Sequence, residues 1–255
     1  MKDMKLSNIQ KESEKIKIKK SINEYEDLKS QSLLKLGIMT FDKIRKNEIH
    51  DKDFNEICEE IKSKDEKFEY KIFADNGPLV DRYLAYLAGL GYYGINNNLI
   101  TDKYGSYVFI GYIVNNYNLE PDEKLNKNCM KCNKCVKYCP GNALEGNYQM
   151  DPKKCVSYIT QKKEELTDEE KEKMRKNKTI FGCDVCQNVC PHNQDVEISN
   201  IEAFTTNLIT NLSEEEINSI SNKEFKRRYN DRAFSWRGRN IIKRNMDIIN
   251  EKSMK

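Results

Sequence analysis

The sequence has no run of about eighteen apolar residues, so no helix in it is suited to spanning a bilayer. Its opening, MKDMKLSNIQKESEKIKIKK, lacks the apolar stretch of a secretory signal, and none is expected. No repeat of solenoid length is present, and the only internal echo is a cysteine motif. Charge of one sign is nearly balanced, at a net +3. With 38% hydrophobic and 33% charged residues, the 255-residue chain reads as a soluble, lysine-rich, cytoplasmic monomer without a membrane partner. Its length allows one good core and a smaller module.

Cysteine is almost missing outside one stretch: eight of the nine fall between Cys129 and Cys190. A reducing compartment makes these poor disulfide candidates, and their crowding points to metal. The charge is also uneven. Lys223–Lys255 holds eleven Lys or Arg against four acids, an excess of seven positive charges that can attract a polyanion or simply form a solvated helix face.

The pattern divides the chain into a charged helical region (1–65), an α/β section (66–125), a cysteine-rich module (126–195) and basic C-terminal helices (196–255). FNEICEEIKSK places Phe54, Ile57, Cys58 and Ile61 on one helical stripe, which makes Cys58 a small core residue. YKIFAD (70–75) reads as a strand ending at Asn76 and Gly77, and Pro78 suits the first turn of a helix that Gly89 and Gly91 can end. SYVFIGYIV (106–114) reads as a buried strand. Thr167 with Glu170, Ser213 with Glu216 and Ser221 with Glu224 have capping-box spacing, the first opening an exposed helix between the cysteine groups. The fold class expected is α+β.

CMKCNKCVKYCP (129–140) follows the C-x2-C-x2-C-x3-C-P pattern of bacterial ferredoxins, whose fourth cysteine binds a different cluster from the first three. Cys129, Cys132 and Cys135 then share one 4Fe–4S cluster with Cys190, from FGCDVCQNVCP (181–191). Cys139 crosses to a second cluster with Cys183, Cys186 and Cys155. Two zinc sites of four thiolates would also use eight cysteines, but those usually come as separated C-x2-C pairs. A tight run closed by C-P, used twice, favours two 4Fe–4S clusters and electron transfer. The hundred-odd residues before them suggest a reaction site.

DNGPLVDRYLAYLAGLGYYGINNNLI (75–100), GSYVFIGYIV, the cysteine run, CVSYIT, IFGCDVCQNVCPHN and FKRRYNDRAFSWRGRNIIKRN occur in this order. Together they resemble the epoxyqueuosine reductases, from about Asp53 to the C-terminus. The resemblance implies a cobalamin-dependent, two-cluster enzyme for the last step of queuosine synthesis in tRNA, fed by a low-potential electron donor. It also implies an N-terminal α/β corrinoid-type domain, followed by a ferredoxin-like double 4Fe–4S module and C-terminal helices.

By that resemblance Asp75, otherwise a turn residue before Asn-Gly, is the acid that protonates the epoxide oxygen. Gly91, Gly94 and Asn96 would lie against the corrinoid, although a helix cap and turn explain them equally. Arg82 would bind cofactor or substrate, or form a surface salt bridge. Lys226, Arg227, Arg228, Arg232, Arg237, Arg239, Lys243 and Arg244 would meet tRNA phosphates. Tyr229 or Trp236 could stack on a base, with core packing the main expectation for Trp236. Phe225, Ile241 and Ile242 would face inward.

The chain departs from the family pattern in three places. Its N-terminal region is shorter. Ile95 stands where relatives carry a lysine, and Asp53–Asn55 reads DFN where they carry D-Y-H. A corrinoid reductase with another substrate, or a non-catalytic two-cluster electron carrier, therefore remain alternative readings.

Overall fold

The computed structural model describes residues 35–41, 50–74, 77–116, 122–197 and 207–251. The described residues form two compact units. One holds those up to Lys131 together with 191–197, and the other holds Cys132–Cys190 with those from 207 onward.

In the first unit the elements are β1 (Lys35–Phe41), α1 (His50–Lys64), β2 (Tyr70–Ala74), α2 (Asp81–Leu87), β3 (Tyr92–Tyr93), β4 (Leu99–Ile100) and β5 (Phe109–Asn115). β5 lies between β1 and β2, antiparallel to both. Its β-branched and aromatic sequence suits a central strand paired on both edges. β1 corrects the helical reading of residues 1–65. Seven residues are too few for periodicity to separate strand from helix, and pairing with β5 decides. Cys58, Phe68 and Ile113 form a buried cluster with Ile61, Tyr70 and Ile72 against it, so Cys58 has its expected core position.

α2 begins at Asp81, not at Pro78, and Asp81 supplies the negative charge that a helix N-terminus favours. Gly89 ends it with φ +71°, and a Cβ there would collide with the Glu123 carbonyl. Gly91 instead precedes β3, so it does not terminate the helix. β5 starts at Phe109, three residues later than expected.

The second unit contains α3 (Lys134–Lys137), the β6 (Leu144–Gly146) and β7 (Gln149–Met150) hairpin, α4 (Val156–Ile159), α5 (Asp168–Asn177), α6 (Val185–Asn188), α7 (Glu214–Ser219), α8 (Asn222–Tyr229) and α9 (Arg239–Asn250). Ile217, Ile220, Phe225, Tyr229, Ile242 and Met246 make one core, with Ile159, Leu166, Met174 and Ile248 a second. Phe225 and Ile242 point inward as expected, while Ile241 is half-buried.

Thr167 and Glu170 make the full capping box of α5. Ser213 and Ser221 accept from Glu216 and Glu224 main-chain N–H groups, but those carboxylates turn to Arg228, Tyr229 and Arg227. α5 is not simply exposed, because Met174 is fully buried. The spacing of acids and lysines along α5 hides this single inward face.

Candidate functional site

Short elements bring the cysteines of the second unit together. Cys135 lies on α3, Cys139 in the turn after it, Cys155 at the N-cap of α4, Cys183 before α6 and Cys186 on α6. Gly141 allows the close approach of the first loop to the second, since a Cβ there would strike the Lys154 carbonyl. Burial pushes the Cys186 thiol up to about 12, and Cys183, Cys155, Cys139 and Cys135 add to the shift in that order. The Cys183 thiol is raised by burial and then by Cys155, against the lowering effect of the Val185 main-chain hydrogen bond.

The neighbours of Cys186 thus include all three partners in its expected quartet. The raised Cys183 and Cys186 thiols hold their protons; a bound cationic group would offset the repulsion and let them ionise. Donors already face two sulfurs: Ala143 N–H at 3.2 Å from Cys139 Sγ and Asn177 Nδ2 at 3.7 Å from Cys183 Sγ. Among the described residues no three His, Cys, Asp or Glu side chains gather closely enough to hold a single metal ion. A cubane takes its thiolates at separate corner irons, and cysteines in ferredoxin-like spacing suit that mode of binding. Cys132, Cys135 and Cys190 also lie in the second unit, and Cys129 in the first. The first quartet is assigned on the sequence pattern.

Asn245 anchors this framework. Fully buried on α9, its Nδ2 donates to the carbonyls of Thr160 at 2.7 Å and Ile180 at 2.8 Å, just beyond α4 and just before Cys183. Asn245→Ala orphans both carbonyls and is expected to cost about 2–4 kcal/mol, read as a lowered denaturation midpoint. An unchanged midpoint would show that other donors replace the amide.

The first unit contains a cavity of about 380 Å³ lined by residues including Ala74, Gly77, Leu79, Arg82, Ser106 and Phe109. Asp75 lies outside the described residues, but Ala74 and Gly77 on either side of it line this cavity. Tyr112, fully buried and stacked on Phe73, accepts from Leu79 N–H at 3.3 Å. A Cβ at Gly77 would collide with the Tyr112 hydroxyl. Tyr112 therefore supports the main chain at Gly77–Leu79, a role not visible in a strand read only as buried.

Arg82 donates to the Asn97 carbonyl and makes no salt bridge among the described residues. Gly91 and Gly94 are filled from within the unit: a Cβ at Gly91 would strike the Ile100 carbonyl and Leu99, and one at Gly94 would strike Asn96 Oδ1 and Ile100. Asn96 is buried, its Oδ1 accepting from Asn98 N–H at 3.2 Å. These positions thus close the β3–β4 turn. Ile95 is buried too, an apolar side chain in the core.

A corrinoid is too large for the cavity to enclose. The residues present fit only one part of such a group, with Arg82 as a cation and Leu79, partly exposed Val80 and Phe109 as apolar contacts.

Two residues after Cys190 were passed over in the sequence. His192 Nδ1 lies 3.1 Å from Tyr92 Oη, and its Nε2 accepts from Met130 N–H at 3.4 Å. Asn193 accepts from Ser106 N–H at 2.7 Å and donates to Ser106 Oγ at 2.8 Å, reaching a residue of the cavity wall. The PHN sequence itself was the available signal.

The basic tail separates into different roles. Arg239 donates to the Ile217 and Asn218 carbonyls, and Arg244 to those of Lys162 and Glu164. Lys243 reaches Asn218 and Asp247. Arg232 pairs with Asp231, while Arg227 and Arg228 hold Glu224 at about 2 through hydrogen bonds and charge. Lys226 is exposed. Trp236 is 48% exposed, correcting its expected core role; its Nε1 donates to Gln161 and its ring lies 3.6 Å from the Arg237 guanidinium carbon. Tyr229 is buried, with its hydroxyl on Glu216, so its ring packs in the core and is not displayed for a base.

Residues 128–193 match the family described as 4Fe-4S double cluster binding domain. The chain is 37% identical over 192 residues to an epoxyqueuosine reductase of Lactococcus garvieae, covering 75% of this chain and 54% of that protein. It is 40% identical over 182 residues to one of Listeria monocytogenes, covering 70% and 47%. The chain spans about half the length of these curated relatives. The solved epoxyqueuosine reductase of Streptococcus thermophilus superposes with a TM-score of 0.75 at 28% identity, over 88% of this chain and 66% of that one. Another, crystallised with an epoxyqueuosine-modified tRNA-Tyr stem loop, gives 0.73 at 27% identity with the same coverage.

Proposed function

We propose that this chain, which is homologous to the epoxyqueuosine reductases and carries a double 4Fe–4S segment, reduces epoxyqueuosine in tRNA to queuosine. The observation that carries the reading is the cavity whose wall includes Ala74 and Gly77, the described residues that flank Asp75 and Asn76, in a chain that also gathers thiols around Cys186. Reduction adds two electrons and two protons to the epoxide, giving an alkene and water. Asp75 would supply a proton to the departing oxygen, and Tyr112 would hold the following main chain through Leu79 N–H.

A corrinoid, when bound, would supply cobalt able to carry low-potential electrons. Arg82, Leu79, Val80 and Phe109 would meet it or the substrate. The cysteines would hold two clusters: Cys129, Cys132, Cys135 and Cys190 for one, Cys139, Cys155, Cys183 and Cys186 for the other. Exposed Lys226, paired Arg227 and Arg228, and Arg237 would supply the tRNA charge, with Arg239 and Arg244 bracing the fold. We further place the protein in the cytoplasm as a monomer, served by a low-potential electron donor.

The deciding experiment is anaerobic single turnover of an epoxyqueuosine-bearing tRNA stem loop after reconstitution with iron, sulfide and cob(II)alamin. Stoichiometric queuosine is the expected product. A corrinoid spectrum that is perturbed without any queuosine would favour another substrate. The electron-carrier alternative rests on the lysine that the family resemblance implies at position 95, where this chain has a buried isoleucine. No corrinoid binding at micromolar protein, with both clusters present, would establish that alternative.

A further inference from the structure

Among the described residues of the second unit three large aromatic side chains remain exposed: Tyr138 at 54%, Tyr158 at 46% and Trp236 at 48%. Tyr138 immediately precedes Cys139, and Tyr158 lies one turn after Cys155. Trp236 is tied to the same segment, since Gln161, its hydrogen-bond partner at 3.0 Å, also donates to the Ser157 carbonyl at 2.8 Å. The close approach of Gly141 to the Lys154 carbonyl joins the loop after Cys139 to the segment carrying Cys155.

Cations accompany these rings. Lys137 Nζ lies 5.6 Å from the Tyr138 ring centroid, and Arg237 stacks on Trp236. Lys134, Lys153 and Lys154 are exposed in the same two segments. Within 134–138 and 151–162 there are five lysines and one acid, Asp151. Lys154 approaches that acid at 3.6 Å, whereas Lys162 pairs with Glu170 outside them. Exposed Asp184, beside Cys183, is a further acid near the cysteines.

We propose that this aromatic and cationic surface around Cys139 and Cys155 docks an acidic, low-potential redox protein that reduces the second cluster. The inference rests on the two-cluster part of the proposed function and is independent of the tRNA reaction. In each encounter the donor is oxidised by one electron and the cluster is reduced by one; two encounters supply the pair required by the epoxide. Apolar rings provide contact area, while the lysines steer an acidic face and keep the complex short-lived, as electron-transfer encounters require. An RNA would be attracted by the same charge, but the placement of the rings beside two ligands of one quartet favours the redox partner.

The test uses the full chain with both clusters and an acidic flavodoxin reduced by two electrons. Cluster bleaching is followed by anaerobic stopped flow. The parent rate should fall as salt is added, and Lys153→Glu with Lys154→Glu should slow it about tenfold or more at low salt. Reduction by dithionite and iron content should not change, which separates lost docking from lost folding. Trp236, the sole tryptophan, should also change emission when oxidised flavodoxin binds.

A variant reduced at the parent rate, or a parent rate independent of salt, would overturn the proposal. So would a variant that keeps its flavodoxin rate but loses affinity for a tRNA stem loop, which would assign the surface to RNA. Failure of the tRNA reaction with dithionite as reductant would count against the reductase reading alone.

Discussion

Asp75→Asn should leave iron content and thermal unfolding unchanged while lowering single-turnover formation of queuosine by about 10²–10⁴-fold. The substitution conserves side-chain size and replaces a proton-donating carboxyl with an amide that cannot fill that role. The neighbouring wall should remain intact because Leu79 N–H, Tyr112 and Gly77 hold the main chain without the Asp75 side chain. Corrinoid binding, measured by absorbance, serves as the second readout and should be retained. Conversion within about twofold of the parent would remove Asp75 from acid catalysis. Parallel loss of corrinoid binding would make it a binding residue instead.

Cys186→Ser is expected to prevent assembly of the second cluster, lowering iron from about eight to about four per chain. The reason is the position of Cys186 among Cys183, Cys155, Cys139 and Cys135: it is half-buried and its thiol feels all four. A serine hydroxyl at that point is a poor substitute for a soft thiolate. Cys58→Ser provides the control. Cys58 sits with Phe68 and Ile113 in the first unit, so its replacement should disturb packing and leave iron at about eight. Equal iron in Cys186→Ser and parent protein would exclude Cys186 from the quartet. A loss of iron in Cys58→Ser would contradict its assignment to the core.

Local chemistry made several features legible in advance. The stripe containing Cys58 is a helical packing pattern, and α1 puts that cysteine in the core. Thr167 and Glu170 encode a cap through groups three residues apart, which both engage. By contrast, the strand at Lys35–Phe41 is too short to announce itself, and the inward side of α5 depends on one residue, Met174. The exposed position of Trp236 was also missed. A tryptophan's large apolar area favours burial on average, but here its N–H has Gln161 and its ring has Arg237 at the surface.

The sequence alone determined the cysteine inventory, its ferredoxin-like spacing and the excess of positive charge in the tail. Spacing along a chain limits which ligands one tight loop can present, and net charge needs no fold to be counted. Only tertiary structure decided which arginines brace carbonyls, that Gly91 and Gly94 close a turn, and that Tyr112 supports the main chain at Gly77–Leu79. Those outcomes depend on groups distant in sequence, such as Arg244 with Lys162 and Tyr112 with Leu79. Hydrogen bonds act over a few ångströms, so the fold must create those neighbours before their chemistry can be assigned.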